Sequence, residues 1–320
     1  MKEKFGILGT ADIAYRRFLP ALMADDEVEY IGIATRNIKK GIKFSDYYGG
    51  KVYEGYEEIL RNEEVTSVYI PLPPALHFEW GLKCLDYKIN VFMEKPFATN
   101  LQEALQLVQK AATVNKIIFE NYMFLYHKQL QKIKNLIFKE QILGDIRLFR
   151  INFSFPKRGD NDFRYKKSLG GGALLDCGGY TIRLAKELLG DKIHVDTAKL
   201  NYVPDYEVDL FGTATLEDEN GLIAQIAFGM DNGYKCELEI IGQKGWLRAP
   251  RIFTAPKDYV VEISTNIQNQ ESKIIVGKDD QFLNAIHVYK DMIRNKERRK
   301  KVYSDIIHTA KLLDQVKEWR

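Results

Sequence analysis

Short apolar runs alternate with amphipathic stretches through the first part of the chain. Residues 5–8 are apolar and stop at Gly9, residues 15–24 read as a helix, and residues 28–34 form a second apolar run. A short unit leads to a strand at 51–53, then a helix over 56–61, a strand over 67–70 and a helix over 77–87. The run Ile89-Asn90-Val91-Phe92-Met93-Glu94 follows and ends at Lys95-Pro96; a helix over 101–114 and a strand over 117–121 close the series. Runs of strand length spaced by helices of this size predict βαβ units and a parallel sheet.

Past this point the periodicity changes. Residues 146–155 alternate as a strand, a helical segment covers 179–189, and further strands are expected over 208–216, 222–228 and 236–241. Glu219-Asn220-Gly221 and Asp231-Asn232-Gly233 between them favour tight hairpins. The expected class is α/β: an N-terminal Rossmann, doubly wound parallel sheet over 1–121, then over 122–320 a substrate-binding and oligomerisation domain with a large, mostly antiparallel open sheet. With few helices in this half, one sheet face needs a cover, and a second copy of the chain supplies it, predicting a homodimer or homotetramer.

Composition narrows the function classes. The chain has 320 residues, enough for about two domains, and a net charge of only +3. Neither nucleic acid nor an anionic membrane is an expected partner. Cys84, Cys177 and Cys236 are odd in number and far apart, which argues for a reducing compartment and against a disulfide frame or metal site. No signal-peptide core precedes Gly9 and no run reaches the roughly 18 apolar residues of a membrane span, so a cytoplasmic protein is expected. The basic run 295–301 reads as a solvated helix end or turn.

Lys95 is the first candidate for chemistry. It ends a buried strand, where open parallel sheets bind ligands, and Pro96 restricts its backbone. Alone it reads better as a surface lysine whose stem covers apolar area. Gly9, Ala11 and Ala14 align with the small positions of a dinucleotide fingerprint, with Thr10, Asp12 and Ile13 supplying backbone N–H groups at a helix start. Alanine replaces the second glycine, so by itself the loop is equally an ordinary strand-to-helix turn. At the end of the second strand Thr35-Arg36 stands where an acid would select NAD; a hydroxyl and an arginine suit the 2′-phosphate of NADP(H). In Gly170-Gly171-Gly172-Ala173-Leu174-Leu175-Asp176-Cys177-Gly178-Gly179-Tyr180, Asp176 and Tyr180 share a face if the segment is helical.

Together, the Gly9 loop, Tyr69-Ile70-Pro71-Leu72-Pro73 followed by His77, Glu94-Lys95-Pro96 and the triple-glycine run to Tyr180 resemble the glucose–fructose oxidoreductase, inositol dehydrogenase and rhizopine catabolism (Gfo/Idh/MocA) family. The likeness spans nearly the whole chain. It implies a Rossmann domain followed by an α/β domain, and nicotinamide-dependent redox chemistry on sugars and polyols. Tyr180 stands where many members carry histidine. Leu125 within Glu120-Asn121-Tyr122-Met123-Phe124-Leu125-Tyr126-His127 replaces a common arginine, and this variant, with Phe163-Arg164, is similar to nucleotide-sugar 3-ketoreductases.

The resemblance implies reduction by NADPH of a sugar ketone, C3 of a nucleotide-linked deoxysugar. Lys95 and Tyr180 are the expected catalytic pair, the lysine on the carbonyl oxygen and the tyrosine as proton donor. Asp176, Tyr122, Arg164 and His77 are the expected substrate contacts. Pro71, Leu72, His77, Glu94 and Lys95 join Gly9, Thr10, Ala11, Asp12, Ile13, Thr35 and Arg36 around the cofactor, and Gly170–Gly172 are expected to pack close to nicotinamide and sugar. A nucleotide on the substrate would want cations, and Arg164, Lys166, Lys167 and Arg183 are nearby in sequence, with their convergence left open. His127 is expected to be structural or substrate-contacting. Dehydrogenation of a free sugar, polyol or trans-dihydrodiol, and a non-catalytic dinucleotide or sugar sensor, are the alternatives.

Overall fold

A computed structural model describes residues 2–159 and 161–319. The chain forms two compact units. The first contains six parallel strands: β1 (Glu3–Leu8), β2 (Val28–Thr35), β3 (Lys51–Glu54), β4 (Ser67–Ile70), β5 (Asn90–Glu94) and β6 (Ile118–Asn121). Their order is β3-β2-β1-β4-β5-β6. The direction of winding reverses between β1 and β4, and the crevice outside the carboxyl ends of these strands is the ligand position of a doubly wound sheet. Every residue of β4 and β5 is buried, as expected for strands covered on both faces.

Local signals account for the helices. Asn100 caps Leu101–Thr113 by accepting from the Glu103 N–H at 2.9 Å, and the Glu103 carboxylate accepts from Thr99 N–H at 3.0 Å. The helix expected over 15–24 is instead a wide turn, Ala14–Phe18, followed by Leu19–Leu22. Pro20 has no N–H to return to the Arg16 carbonyl, so regular helical bonding fails there.

The first unit also includes Phe282–Ile307, which the expected boundaries assigned to the second domain. Tyr289 is fully buried among Phe5, Phe92 and Phe119, and its hydroxyl donates to Ser67 Oγ at 2.8 Å. Tyr303 accepts from the Ile118 N–H at 3.3 Å.

The second unit holds β7 (Ile146–Ser154), β8 (His194–Tyr202), β9 (Asp209–Glu217), β10 (Ile223–Gly229), β11 (Lys235–Gly242), β12 (Gly245–Pro250), β13 (Val261–Ile267) and β14 (Gln270–Gly277) in one sheet. The order is β14-β13-β12-β11-β7-β10-β9-β8. Glu219-Asn220-Gly221 joins β9 to β10 as a hairpin, but Asp231-Asn232-Gly233 does not make one: β7 lies between β10 and β11, parallel to the first and antiparallel to the second. The helix Gly179–Leu189 packs on β7 and β10. A broad depression elsewhere on the sheet is lined by Arg150, Asn152, Lys199, Thr213, Thr215 and Gln225.

Candidate functional site

The dinucleotide loop of the first unit is shaped by close contact. Gly9 has φ +94°, and a Cβ there would lie 2.8 Å from Leu72 Cδ2, so a side chain would strain the backbone and collide with the loop after β4. The Ala11 carbonyl accepts from the Ala14 and Tyr15 N–H groups at 3.0 and 3.3 Å, and Ala14 is fully buried. Thr10, Ala11 and Asp12 are at least partly exposed at this turn, and Asp12 pairs with exposed Arg16.

At the end of β2 only part of the expected phosphate pair is presented. Thr35 is 3 % exposed, and its hydroxyl accepts from Asn37 N–H at 3.1 Å and lies 3.2 Å from the Asn37 carbonyl. The hydroxyl that was expected at the cofactor thus closes a local turn. Arg36 is exposed, with Cζ 5.9 Å from the centroid of Tyr56. Asn37 caps Ile38–Tyr48, whose first turn carries exposed Lys39 and Lys40 and no acid. Three cations at a helix start suit an anion.

Lys95 follows β5 and is partly exposed, joined to Pro96 by a cis peptide bond. The chain around it is held at three places. Glu94 accepts from the Tyr69 hydroxyl and Asn121 Nδ2, each at 2.7 Å. Glu120 accepts from the Phe97 N–H at 2.8 Å. His77 sets Nδ1 2.8 Å from the Pro96 carbonyl and Nε2 2.8 Å from the Leu72 carbonyl. His77 has no exposed surface, so its expected role as a substrate or cofactor contact is corrected to that of a tie between the loops after β4 and β5. Burial pushes its pKa down to about 4, leaving the ring neutral at pH 7. Burial raises the Glu94 pKa, opposed by its hydrogen bonds from Asn121 and Tyr69 and by the Lys95 charge. Lys95 therefore projects from a backbone whose neighbours on both sides are fixed by buried polar groups.

In the second unit the glycine run closes against the protein's own chain. Gly172 (φ +121°) donates to the Arg164 carbonyl at 2.9 Å, and a Cβ on it would lie 2.4 Å from Asp209 Oδ1. A Cβ on Gly171 would lie 2.3 Å from the Arg164 carbonyl oxygen. Gly171 and Gly172 thus admit the protein's own Arg164 carbonyl and Asp209. Asp209 Oδ2 accepts from Leu174 N–H at 2.6 Å, where the wide turn Leu174–Gly178 leads into the helix Gly179–Leu189. Burial raises the pKa of Asp209.

Arg164 donates through Nε to Asp176 at 2.6 Å and through Nη1 to Asp162 at 3.1 Å. Its guanidinium is thus committed to two carboxylates. Arg183 is nearly buried and pairs with Glu187 at 3.4 Å, while Lys166 and Lys167 are exposed. Of these four cations, Arg164 and Arg183 are thus each paired with acids of the protein.

Tyr180 is 5 % exposed in a nest of Tyr122, Phe124, Phe153 and Phe253, with centroids 5.2, 5.9, 5.0 and 5.5 Å away. Its hydroxyl lies 3.8 Å from Met123 Sδ. Tyr122 is 1 % exposed, and its hydroxyl fills the space that a Cβ on Gly179 would enter, at 2.2 Å; its expected role as a pocket wall is corrected to support behind Tyr180. His127 is structural: buried Nδ1 accepts from Gln129 N–H at 3.1 Å and caps Lys128–Lys134.

Sequence reasoning missed Tyr69, Glu120, Asn121 and Asp209 as positioning groups. A polar residue inside an otherwise apolar strand was the available signal for Glu120 and Asn121. Nothing local marks Asp209. Among the described residues no group of histidine, cysteine or acidic side chains is arranged to hold a metal ion, and no helix is long and apolar enough to cross a membrane.

Comparison with known proteins gives a consistent family. Residues 3–122 match the oxidoreductase family with an NAD-binding Rossmann fold, and residues 130–248 match the Gfo/Idh/MocA C-terminal domain. The chain is 34 % identical over 314 residues to a dTDP-3,4-didehydro-2,6-dideoxy-alpha-D-glucose 3-reductase from Actinomadura kijaniata, covering 98 % of this chain and 94 % of the relative. A reductase of the same description from Streptomyces violaceoruber is 32 % identical, with 98 % and 94 % covered. A 3-ketoreductase from Actinomadura kijaniata solved with NADP and TDP-benzene superimposes with a TM-score of 0.96 at 34 % identity, over 99 % of this chain and 97 % of that one. Variants of that enzyme with one tyrosine changed to phenylalanine, and one lysine to alanine or glutamate, have also been solved. A doubly wound sheet with a braced lysine, a mostly antiparallel sheet with a nested tyrosine, and matches to both halves lead to one conclusion: this chain belongs to the Gfo/Idh/MocA oxidoreductase family.

Proposed function

We propose that the chain reduces a ketone at C3 of a nucleotide-linked deoxysugar, with NADPH as cofactor. The observation that carries this reading is the bracing of Lys95 by Glu94, His77 and Glu120 at a strand end where a doubly wound sheet binds ligands. The 3-reductases that match over nearly the full chain, one solved with NADP and TDP-benzene, support the substrate class and the cofactor.

The residues present fit the cofactor. Gly9 cannot carry a side chain, the turn after it exposes Thr10 to Asp12, and Arg36 with Lys39 and Lys40 forms a cationic helix start for a 2′-phosphate. Bound NADPH supplies the hydride. Lys95 hydrogen-bonds the ketone oxygen and stabilises the negative charge that develops on it. Tyr180 delivers a proton to that oxygen through its hydroxyl, which the aromatic nest restricts to a narrow range of positions. Asp176, fixed by Arg164, accepts a hydrogen bond from a sugar hydroxyl. The open sheet supports a homo-oligomer through its uncovered face, and the protein is cytoplasmic in this reading.

Lys95→Ala and Tyr180→Phe test the assignment. Each is expected to lower kcat for a nucleotide-linked 3-ketosugar by at least about a hundredfold while NADPH affinity stays within about twofold. Full turnover in either variant rejects the role of that residue.

A further inference from the structure

In the second unit Arg251 is held by aromatic rings, unlike three other arginines of that unit. Arg164 lies between Asp162 and Asp176, Arg183 pairs with Glu187, and Arg248 pairs with Glu239 at 2.7 Å. Arg251 meets no carboxylate among the described residues. Its partners are aromatic: Cζ lies 5.3 Å from the ring centroid of Tyr234 and 5.5 Å from that of Tyr259, and Nη1 donates to the Tyr234 hydroxyl at 3.4 Å. Arg251 remains partly exposed and Tyr234 is 46 % exposed.

The position is built rather than loose. Gln129 Nε2 donates to the Arg251 and Ile252 carbonyls at 3.4 and 3.3 Å, and the Tyr234 hydroxyl lies 3.0 Å from Thr254 Oγ1. Arg251 has φ +53°, a left-handed conformation costly for arginine. Two residues on, Phe253 is buried against Phe124, Phe153 and Tyr180. Two residues span at most about 7 Å, so the Arg251 backbone lies within that reach of the backbone of Phe253, a wall of the tyrosine nest.

We infer that Arg251, with Tyr234 and Tyr259, holds the diphosphate of a nucleoside-diphosphate-linked substrate. This rests on the nucleotide-linked reading above. Aromatic rings beside a guanidinium hold it without neutralising its charge, and the N–H donors other than the one given to Tyr234 stay in one plane, the geometry that phosphate oxygens accept in pairs. Its charge needs no release from a protein carboxylate before it binds. The exposed ring of Tyr234 offers an adjoining surface on which a nucleobase can stack.

The test is calorimetric titration of the NADPH-loaded protein with dTDP, for wild type, Arg251→Asn and Tyr234→Leu. Asparagine suits the left-handed backbone, so the first variant keeps the turn. Arg251→Asn is expected to weaken dTDP binding by at least about tenfold with NADPH affinity within about twofold, and Tyr234→Leu by a smaller factor. Inorganic pyrophosphate is expected to bind wild type more weakly than dTDP, since it lacks the base. Equal dTDP affinity in wild type and Arg251→Asn overturns the inference and leaves the reductase reading intact. Failure of wild type to bind dTDP, with ketosugar reduction still measurable, removes the nucleotide-linked reading and this site with it.

Discussion

Thr35 and Arg36 are adjacent, but the fold gives them different work. The threonine hydroxyl is used by Asn37, while the arginine is exposed beside Tyr56 at a cationic helix start. Selectivity for NADPH over NADH is therefore expected to depend on Arg36 alone of the two. Arg36→Ala should cost at least about tenfold in NADPH affinity with NADH nearly unaffected, whereas Thr35→Val should leave the ratio of the two affinities unchanged; fluorescence titration of both cofactors measures it. The same distinction explains what the sequence showed at the site. Residue types and spacing singled out Lys95, Asp176 and Tyr180 as candidates, and the family resemblance gave them and Arg164 their expected roles. Whether a hydroxyl or guanidinium is already engaged depends on a partner such as Asp162 or Asn37 and on loop geometry, which one-dimensional spacing does not encode.

Among the elements, strands buried on both faces were legible because they are uninterrupted apolar runs, as in β4 and β5. β14 was not, because it is largely exposed and its first half, Gln270-Glu271-Ser272-Lys273, is polar, leaving only the short run Ile274-Ile275-Val276. The return of Phe282–Ile307 to the first sheet was equally hidden, since the Tyr289–Ser67 bond joins residues 222 apart. The connection between β4 and β5 has a pH signature of its own. His77 binds a proton far less readily when folded than when unfolded, so between pH 6.5 and about 4 the unfolded chain holds more protons. Its contribution is full above pH 6.5 and is lost as pH falls through that window, by about 2 kcal/mol on reaching pH 5. Urea unfolding at about pH 7.5 and 5 should show a smaller loss of stability for His77→Gln than for wild type. Equal losses would show that His77 does not titrate in this way.

For the whole molecule, the uncovered polar face of the second sheet is where association of copies is expected. Arg150 and Lys199 already place positive charge there, beside Thr213 and Thr215. Replacing both threonines by arginine sets like charges against each other across a two-fold interface and should shift an oligomer to monomer in sedimentation equilibrium. A wild-type chain that sediments as a monomer would contradict the proposed assembly. The double clamp on Arg164 has an effect that reaches beyond its own contacts. Arg164 is engaged by two carboxylates, Asp162 and Asp176, whereas Arg251 meets aromatic rings and no carboxylate among the described residues. A ligand with an anionic end is therefore drawn towards Arg251 before contact, so added salt should slow its arrival more than it hastens its departure.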